Sequence, residues 1–486
     1  MVDAFIHLFT TPGGYYLYDV NKNAILSLSE DQYVILNNYQ KGNKDSGGTL
    51  YSKQAIESFE HLYSLGFLST KRPKEMYHPI SDALISHLNN KVKMITLQIT
   101  RRCNLRCKYC VYSGNYETRE HSNDRMSLEM AKKGIDFLIE HSKDNERVFL
   151  ALYGGEPLIE FEFIKECIEY YEEKAEGKKS LLTLTTNATL ITEEIIDYFQ
   201  KHNLYLLISL DGPSEIHNKN RVYGYDDRGT FEKIMENLDM IKERFPDYIN
   251  NYVSFNAVLD PQNAFGCIND FFTDFESAKE SNLNASEVAH YYKKEEVKVS
   301  ETYIYEMQYE YFKLFLSKIG HLDKKYTSKL VWRHYNQRKD KYNRMQLTAE
   351  IPDKTHHGGP CVPGVQRLFM NVEGNFYPCE RVSETSQQMR IGNVDTGFDT
   401  DKIKTLLNIG KVSEKNCNNC WALRFCNLCA AAADDHDNLS MEKKISNCSS
   451  VKRSVEDLFK DICTLREFGD ELKEGIYAFD NTDWRV

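Results

Sequence analysis

Between Lys91 and His290 the sequence switches repeatedly between two hydrophobic periods, and that alternation limits the architecture more than any other feature. Apolar runs of strand length and pattern cover Met94–Thr100, Val148–Tyr153, Leu181–Thr186, Tyr205–Leu210 and Tyr252–Leu259, with a weaker one at Leu283–Ala289. Helix-period segments fill the intervals. Ser127 caps one that runs to His141, with Met130, Ile135, Leu138 and Ile139 on its apolar face, and Glu193–Lys201 and Phe231–Arg244 are equally clear. Such alternation predicts an α/β fold: a parallel sheet with right-handed crossovers. Six units are too few to close an eight-stranded barrel, so the expectation is a partial (β/α)6 barrel, open on one side for a large substrate.

Open α/β sheets bind their ligands beyond the carboxyl ends of the strands, and the chemistry-bearing residues lie there. The first strand runs into Cys103-Asn-Leu-Arg-Cys107-Lys-Tyr-Cys110, three thiols at x3 and x2 spacing. A zinc ion wants four ligands closing tetrahedrally, and no fourth Cys or His lies nearby in the sequence. A cubic 4Fe–4S cluster takes one thiolate per iron, so three thiolates hold three irons and leave the fourth for a substrate. Later strands end in Gly154-Gly155-Glu156-Pro157, in Thr185-Thr186-Asn187-Ala188-Thr189, and in Ser209-Leu210-Asp211-Gly212, with His217 and Arg221 just beyond. Singly, a Gly pair is a turn and an Arg a solvated charge. Their recurrence at successive strand ends makes them candidates for a binding site.

A second cysteine field follows Cys361: Gly374 after twelve residues, Cys379 after four more, then Cys417-x2-Cys420-x5-Cys426-x2-Cys429 and finally Cys448. Seven cysteines in 88 residues mark metal work rather than packing, with zinc ribbons as the alternative to iron. The three remaining thiols, Cys167, Cys267 and Cys463, read as small core hydrophobes. No basic n-region with a following apolar stretch is visible and no run reaches transmembrane length, so the expected setting is cytoplasmic, without a membrane partner.

Residues 1–86 have a pattern of their own. Phe5–Phe9, Tyr15–Val20 and Ala24–Leu28 read as short strands, and Ser29 opens a helix through a capping box with Gln32. A second helix begins near Ser52, with Ile56, Phe59, Leu62 and Tyr63 on one face and Gly66 as its stop. The layout is winged-helix-like, yet seven Lys/Arg against nine Asp/Glu argue against phosphate contacts and thus against nucleic acid. The chain as a whole carries a net charge of −11, which argues the same way. Strand addition is the alternative use, an extended peptide pairing with the exposed edge of the small sheet. Residues 301–355, charged and Tyr-rich, read as a helical bridge in which Tyr305, Tyr309 and Phe312 form a core-packing stripe.

The Cys103–Cys110 loop resembles the radical S-adenosylmethionine (SAM) superfamily, whose C-x3-C-x-aromatic-C loop binds the cluster that cleaves SAM. The resemblance implies SAM contacts for Tyr109 (adenine), the Gly154-Gly155-Glu156 segment (methionine amine), Thr186, Asn187, Ser209 (ribose) and Arg221 (carboxylate). Ala188 departs from a position where members often carry Gly. The C-terminal field resembles a SPASM domain over residues 356–486. This implies two auxiliary 4Fe–4S clusters, one on Cys417, Cys420, Cys426 and Cys448, the other on Cys361, Cys379 and Cys429. The central motif departs from the usual pattern, with two residues rather than three before Cys429. The N-terminal layout resembles the precursor-recognition element of enzymes that modify ribosomally made peptides. Together the resemblances imply a radical SAM barrel over residues 91–300 and three 4Fe–4S clusters. They further imply a flavodoxin- or ferredoxin-type electron donor and a precursor peptide as substrate. The implied reaction is thioether crosslinking of the sactipeptide or ranthipeptide kind, with carbon–carbon crosslinking and formylglycine formation on sulfatases as alternatives. No residue is singled out as the catalytic base.

Overall fold

The computed structural model describes residues 3–41, 53–279, 282–359, 361–469 and 476–477. Strands β1 (Ile6–Thr10), β2 (Tyr15–Asp19) and β3 (Ala24–Leu28) form an antiparallel meander. Helix α1 (Glu30–Gln40) starts at Ser29, whose hydroxyl accepts from the Gln32 N–H while the Gln32 side chain accepts from the Ser29 N–H. Helix α2 (Lys53–Ser64) buries Phe59 and Leu62 but leaves Tyr63 exposed; Ser52 and the Ile56 side chain fall outside the described residues. Gly66 ends that segment in the left-handed region at φ 78°.

Two expectations about this module change. The β3 edge is not open: Ile476–Tyr477 pairs with it in parallel, opposite Ile25 and Leu26. Nor does the module stand apart. Phe9, Tyr16 and Tyr18 share a core with Trp421, Phe425 and Phe459 from the C-terminal region, and the Arg424 Nε donates to the Val20 carbonyl at 2.8 Å.

The six parallel strands lie where the alternation placed them: β4 (Met94–Thr100), β5 (Arg147–Gly154), β6 (Lys179–Thr186), β7 (Tyr205–Ser209), β8 (Val253–Leu259) and β9 (Leu283–Glu287). Each pairs with its sequence neighbour. Crossover helices include α3 (Leu128–Glu140), α4 (Phe161–Lys174), α5 (Glu193–Lys201), α6 (Phe231–Arg244) and α7 (Phe265–Asp274). On the β4 side the sheet does not stop. Leu368–Met370 (β10) adds to β4 in parallel, and Asn375–Tyr377 (β11), Gly392–Asn393 (β12) and Gly397–Phe398 (β13) extend it antiparallel to ten strands. Strands of two or three residues carry no hydrophobic period, which is why the sequence did not announce them.

Two helices, α8 (Glu301–Lys318) and α9 (Lys329–Asn343), occupy the expected bridge. The aromatic stripe on α8 is not core: Tyr305, Tyr309 and Phe312 are 67%, 60% and 58% exposed, while Tyr303, Glu310 and Leu314 turn inward. Helical spacing shows that residues share a face, and only the packing partner decides which face is buried. Cys167 and Cys463 are buried as expected, but Cys267 is exposed on α7. Helix α10 (Cys448–Glu467) closes the C-terminal region against β1. No helix among the described residues is long and apolar enough to cross a membrane.

Candidate active site at the carboxyl ends of the strands

Cys103, Cys107 and Cys110 lie on the loop leaving β4, and the chain builds a backbone cradle beneath them. The Gly155 N–H donates to the Thr100 carbonyl and the Glu156 N–H to the Arg102 carbonyl, both at 2.8 Å. These approaches need glycine. A Cβ on Gly154 would sit 2.3 Å from the Thr100 oxygen, and one on Gly155 would sit 2.0 Å from the Arg102 oxygen. Glu156, fully buried, clasps the ends of β5 and β6: one oxygen accepts from Leu158 N–H (3.0 Å) and Thr186 hydroxyl (2.7 Å), the other from Asn187 N–H (2.7 Å). Burial pushes its carboxyl up to about 7 against these donors and Arg221.

Asn187 extends the clasp to the cysteine loop. Its amide donates to Asn104 Oδ1 at 2.9 Å and approaches Cys103 Sγ at 3.9 Å, while Thr189 bonds back to it. Between them Ala188 is buried at φ 62°, so the Ala-for-Gly departure stands in a left-handed position that glycine adopts at lower cost. The Asn237 amide, donating to the Ala188 carbonyl at 2.8 Å, helps to hold it there.

Arg221 and Tyr109 converge on Asp211 beside the cysteine loop. Arg221 lies bidentate on buried Asp211, through Nε at 2.9 Å and Nη2 at 3.3 Å, and the Tyr109 hydroxyl also bonds Asp211. Burial alone would raise the Asp211 carboxyl, but Arg221, His217 and the Tyr109 hydroxyl together outweigh it and hold it below its ordinary value. Arg221 and Tyr109 together tie the cysteine loop to Asp211, two residues past β7. Ser209 is buried at the end of β7, on the same rim.

The three thiols fit a cluster. Leu105 N–H points to Cys103 Sγ and Tyr112 N–H to Cys110 Sγ, each at 3.4 Å. Burial pushes the Cys107 thiol up to about 12, opposed by the charge and hydrogen bond of Arg221. Buried thiols of this kind become thiolates only beside a cation such as iron.

Several of the C-terminal thiols lie close enough to feel one another's charge. After burial, Cys420 is raised by Cys417 and Cys448, and Cys426 by Cys420 and Cys417. Separately, Cys429 responds to Cys361, and Cys379 to Cys429. Among the described residues no three His, Cys, Asp or Glu side chains close to the spacing of a single metal ion.

Sequence reasoning missed the buried polar joint between the two cysteine regions. Arg119, nine residues after Cys110, pairs with Glu384 at 2.9 Å. Its Nη2 donates to the carbonyls of Glu380 (3.1 Å) and Val382 (2.7 Å), which directly follow Cys379. Glu384 also accepts from Gln98 on β4 (2.8 Å) and Arg101 (2.9 Å). Arg119 and Glu384 lie 265 positions apart, so no local pattern could pair them.

The comparisons agree with this geometry. Residues 97–264 match the family model of the Radical SAM superfamily. The chain is 29% identical over 207 residues to the radical SAM cyclopropyl synthase TigE of Paramaledivibacter caminithermalis, covering 41% of each chain. It is also 29% identical over 175 residues to a serine-type anaerobic sulfatase-maturating enzyme of Bacteroides thetaiotaomicron, covering 36% of this chain and 38% of that one. These matches thus span about two fifths of the relatives' length. In fold, the chain is similar to native anSMEcpe with bound AdoMet, at a TM-score of 0.57 and 18% identity, over 77% of this chain and 99% of that one. The same protein has been solved with AdoMet and the Kp18Cys peptide (TM-score 0.57, 18% identity, the same coverage). Residues 97–264, which include the cysteine loop that leaves the first strand of the parallel sheet, thus match the Radical SAM superfamily model, and the chain shares the fold of a structure solved with bound AdoMet.

Proposed function

We propose that this chain is a SAM-dependent maturase that joins a cysteine sulfur of a peptide to one of its carbons through a thioether. In this reading Cys103, Cys107 and Cys110 hold the SAM-cleaving cluster, with Gly154, Gly155, Thr186, Asn187 and Ser209 on the rim where SAM sits. Bound there, SAM and the reduced cluster supply a 5′-deoxyadenosyl radical. The chain's own part is to hold the cysteine loop through Glu156, Asn187 and Arg221, and to join it to the Cys379 loop through Arg119. The SPASM assignment of residues 356–486, two auxiliary clusters and a flavodoxin- or ferredoxin-type donor belong to the same reading.

What supports the thioether is the reading of Cys361, Cys379 and Cys429 as a three-thiol group. A fourth protein ligand could come from His356 or Cys463. Both His356 ring nitrogens are engaged, Nε2 by the Gly410 N–H at 2.8 Å and Nδ1 at 3.0 Å from the His357 carbonyl. Cys463 is buried in the separate core around Phe459. An iron left with only three thiolates suits a soft substrate thiolate.

Mass spectrometry after co-expression with the precursor tests this. Each link is expected to remove two hydrogens, and one cysteine per link should resist alkylation. Changing that cysteine to Ser should abolish the link. Similarity to a cyclopropyl synthase favours a second reading, carbon–carbon bond formation, which predicts the same hydrogen loss with every cysteine still alkylated. An aldehyde in place of a crosslink would instead mark the formylglycine chemistry of the sulfatase-maturating relatives.

Residues 1–86 act in this proposal as the reader of the precursor's leader, by strand addition at β3. Because Ile476–Tyr477 already pairs with β3, the leader competes with the chain's own strand. Ile476→Pro or Tyr477→Pro weakens that pairing. Either is expected to raise leader affinity at least about threefold in fluorescence anisotropy, as the competent fraction grows. Unchanged affinity would place the leader elsewhere.

A further inference from the structure

Lys444 is 1% exposed, although an ammonium taken out of water is costly unless an anion meets it. Its Nζ donates to Ser413 Oγ at 2.7 Å and to Cys417 Sγ at 3.3 Å, and Ser413 Oγ lies 3.3 Å from the same sulfur. No ion pair between Lys444 and a carboxylate is found among the described residues, and the side chains that meet its Nζ are Ser413 and Cys417, a member of the four-cysteine group. The Lys444 charge reaches Cys426 and Cys448 as well. The other basic groups facing the site differ in kind. His78, His356 and His357 are held low by burial, the last two also by the Lys444 charge, and stay neutral at pH 7. Lys452, which Cys420 and Cys448 also feel, is exposed and screened by water.

We propose that Lys444 is the built-in counter-charge of the cluster held by Cys417, Cys420, Cys426 and Cys448, and that its buried ammonium raises that cluster's reduction potential. The inference rests on the four-thiol reading given above. A cubane with four thiolates is anionic and gains one more negative charge on reduction, so a fixed cation in a dry site favours the reduced form. Net charge and hydrogen bonds to sulfur are the terms that set such potentials. Lys444 supplies both, as a charge and as an N–H···S donor. It is a positioning residue for the electron that peptide oxidation must release, making this cluster the better acceptor.

The test is an EPR-monitored redox titration of iron-reconstituted full-length protein in a Cys103/Cys107/Cys110→Ala background, following the signal that disappears in Cys420→Ala. Lys444→Met is expected to lower the reduced-to-oxidised ratio at fixed poise at least about tenfold, a negative shift of about 59 mV for one electron. Lys444→Arg should stay near the parent value, and Lys452→Met should move it far less than Lys444→Met. An unchanged midpoint in Lys444→Met, or equal shifts from Lys444→Met and Lys452→Met, would overturn the proposal. Should Lys444→Met lose iron at this site, retention by Lys444→Arg with loss in Lys444→Gln supports the counter-charge, and equal loss in both overturns it. If no iron signal depends on Cys420, the four-thiol reading fails instead.

Discussion

Replacing Cys103, Cys107 and Cys110 together with Ala abolishes 5′-deoxyadenosine formation from SAM, while the iron bound by the C-terminal cysteines remains. The expectation follows from where the thiols sit. All three lie on one loop, clasped by Glu156, Asn187 and Arg221 at the rim of the parallel sheet. Reconstituted protein is expected to hold about twelve irons and the triple variant about eight, from cubic clusters of four. Iron analysis and chromatography of the nucleoside measure both. Reconstituted protein that takes up zinc alone, or a triple variant that still makes 5′-deoxyadenosine, would remove the first cluster from the mechanism.

The second large effect is expected at Arg119. Its guanidinium and the Glu384 carboxylate are both nearly inaccessible, at 2% and 4% side-chain exposure, so removing one leaves the other buried and short of a partner. Breaking a buried pair costs about 3–5 kcal/mol. Gln98 and Arg101 still donate to Glu384 in Arg119→Met, which points to the lower end, about 3 kcal/mol. Arg119 also holds the Glu380 and Val382 carbonyls, so hydrogen exchange should accelerate most around Cys379. Denaturant titration of Arg119→Met, Glu384→Leu and the double variant gives the coupling, expected at about 1–3 kcal/mol in favour of the pair. Additive losses would mean that the two side chains act independently.

The docking of the N-terminal sheet bears on how leader recognition is tested. With Phe9, Tyr16 and Tyr18 packed around Phe459, deleting residues 1–85 would expose a core as well as remove a binding edge. Point changes in the Ile476–Tyr477 pairing leave that core in place, and so separate peptide recognition from stability.

Much was legible before any coordinates. Period-2 and period-3.6 runs located the six parallel strands and three of the crossover helices, α3, α5 and α6, to within two residues at most ends, because each buries a continuous apolar face whose spacing is written locally. Cysteine spacing located the cluster loop, and the Ser29 capping box located the first helix. Contacts whose partners are remote in sequence were not legible. The exposed aromatic face of α8, the strands that carry the sheet past β4 and the Ile476–Tyr477 pairing on β3 depend on what packs beside them. Arg221 shows the same division at one residue: the sequence placed it at a strand end, but only the fold turned its fork toward Asp211. Buried Lys444 is likewise silent in sequence, since a lysine beside another lysine reads as a solvated charge until the tertiary structure encloses it. Local periodicity and spacing thus determined which elements form and where the reactive thiols lie. Long-range packing decided which charges are buried together, because burial is a property of the assembled surface and not of the chain.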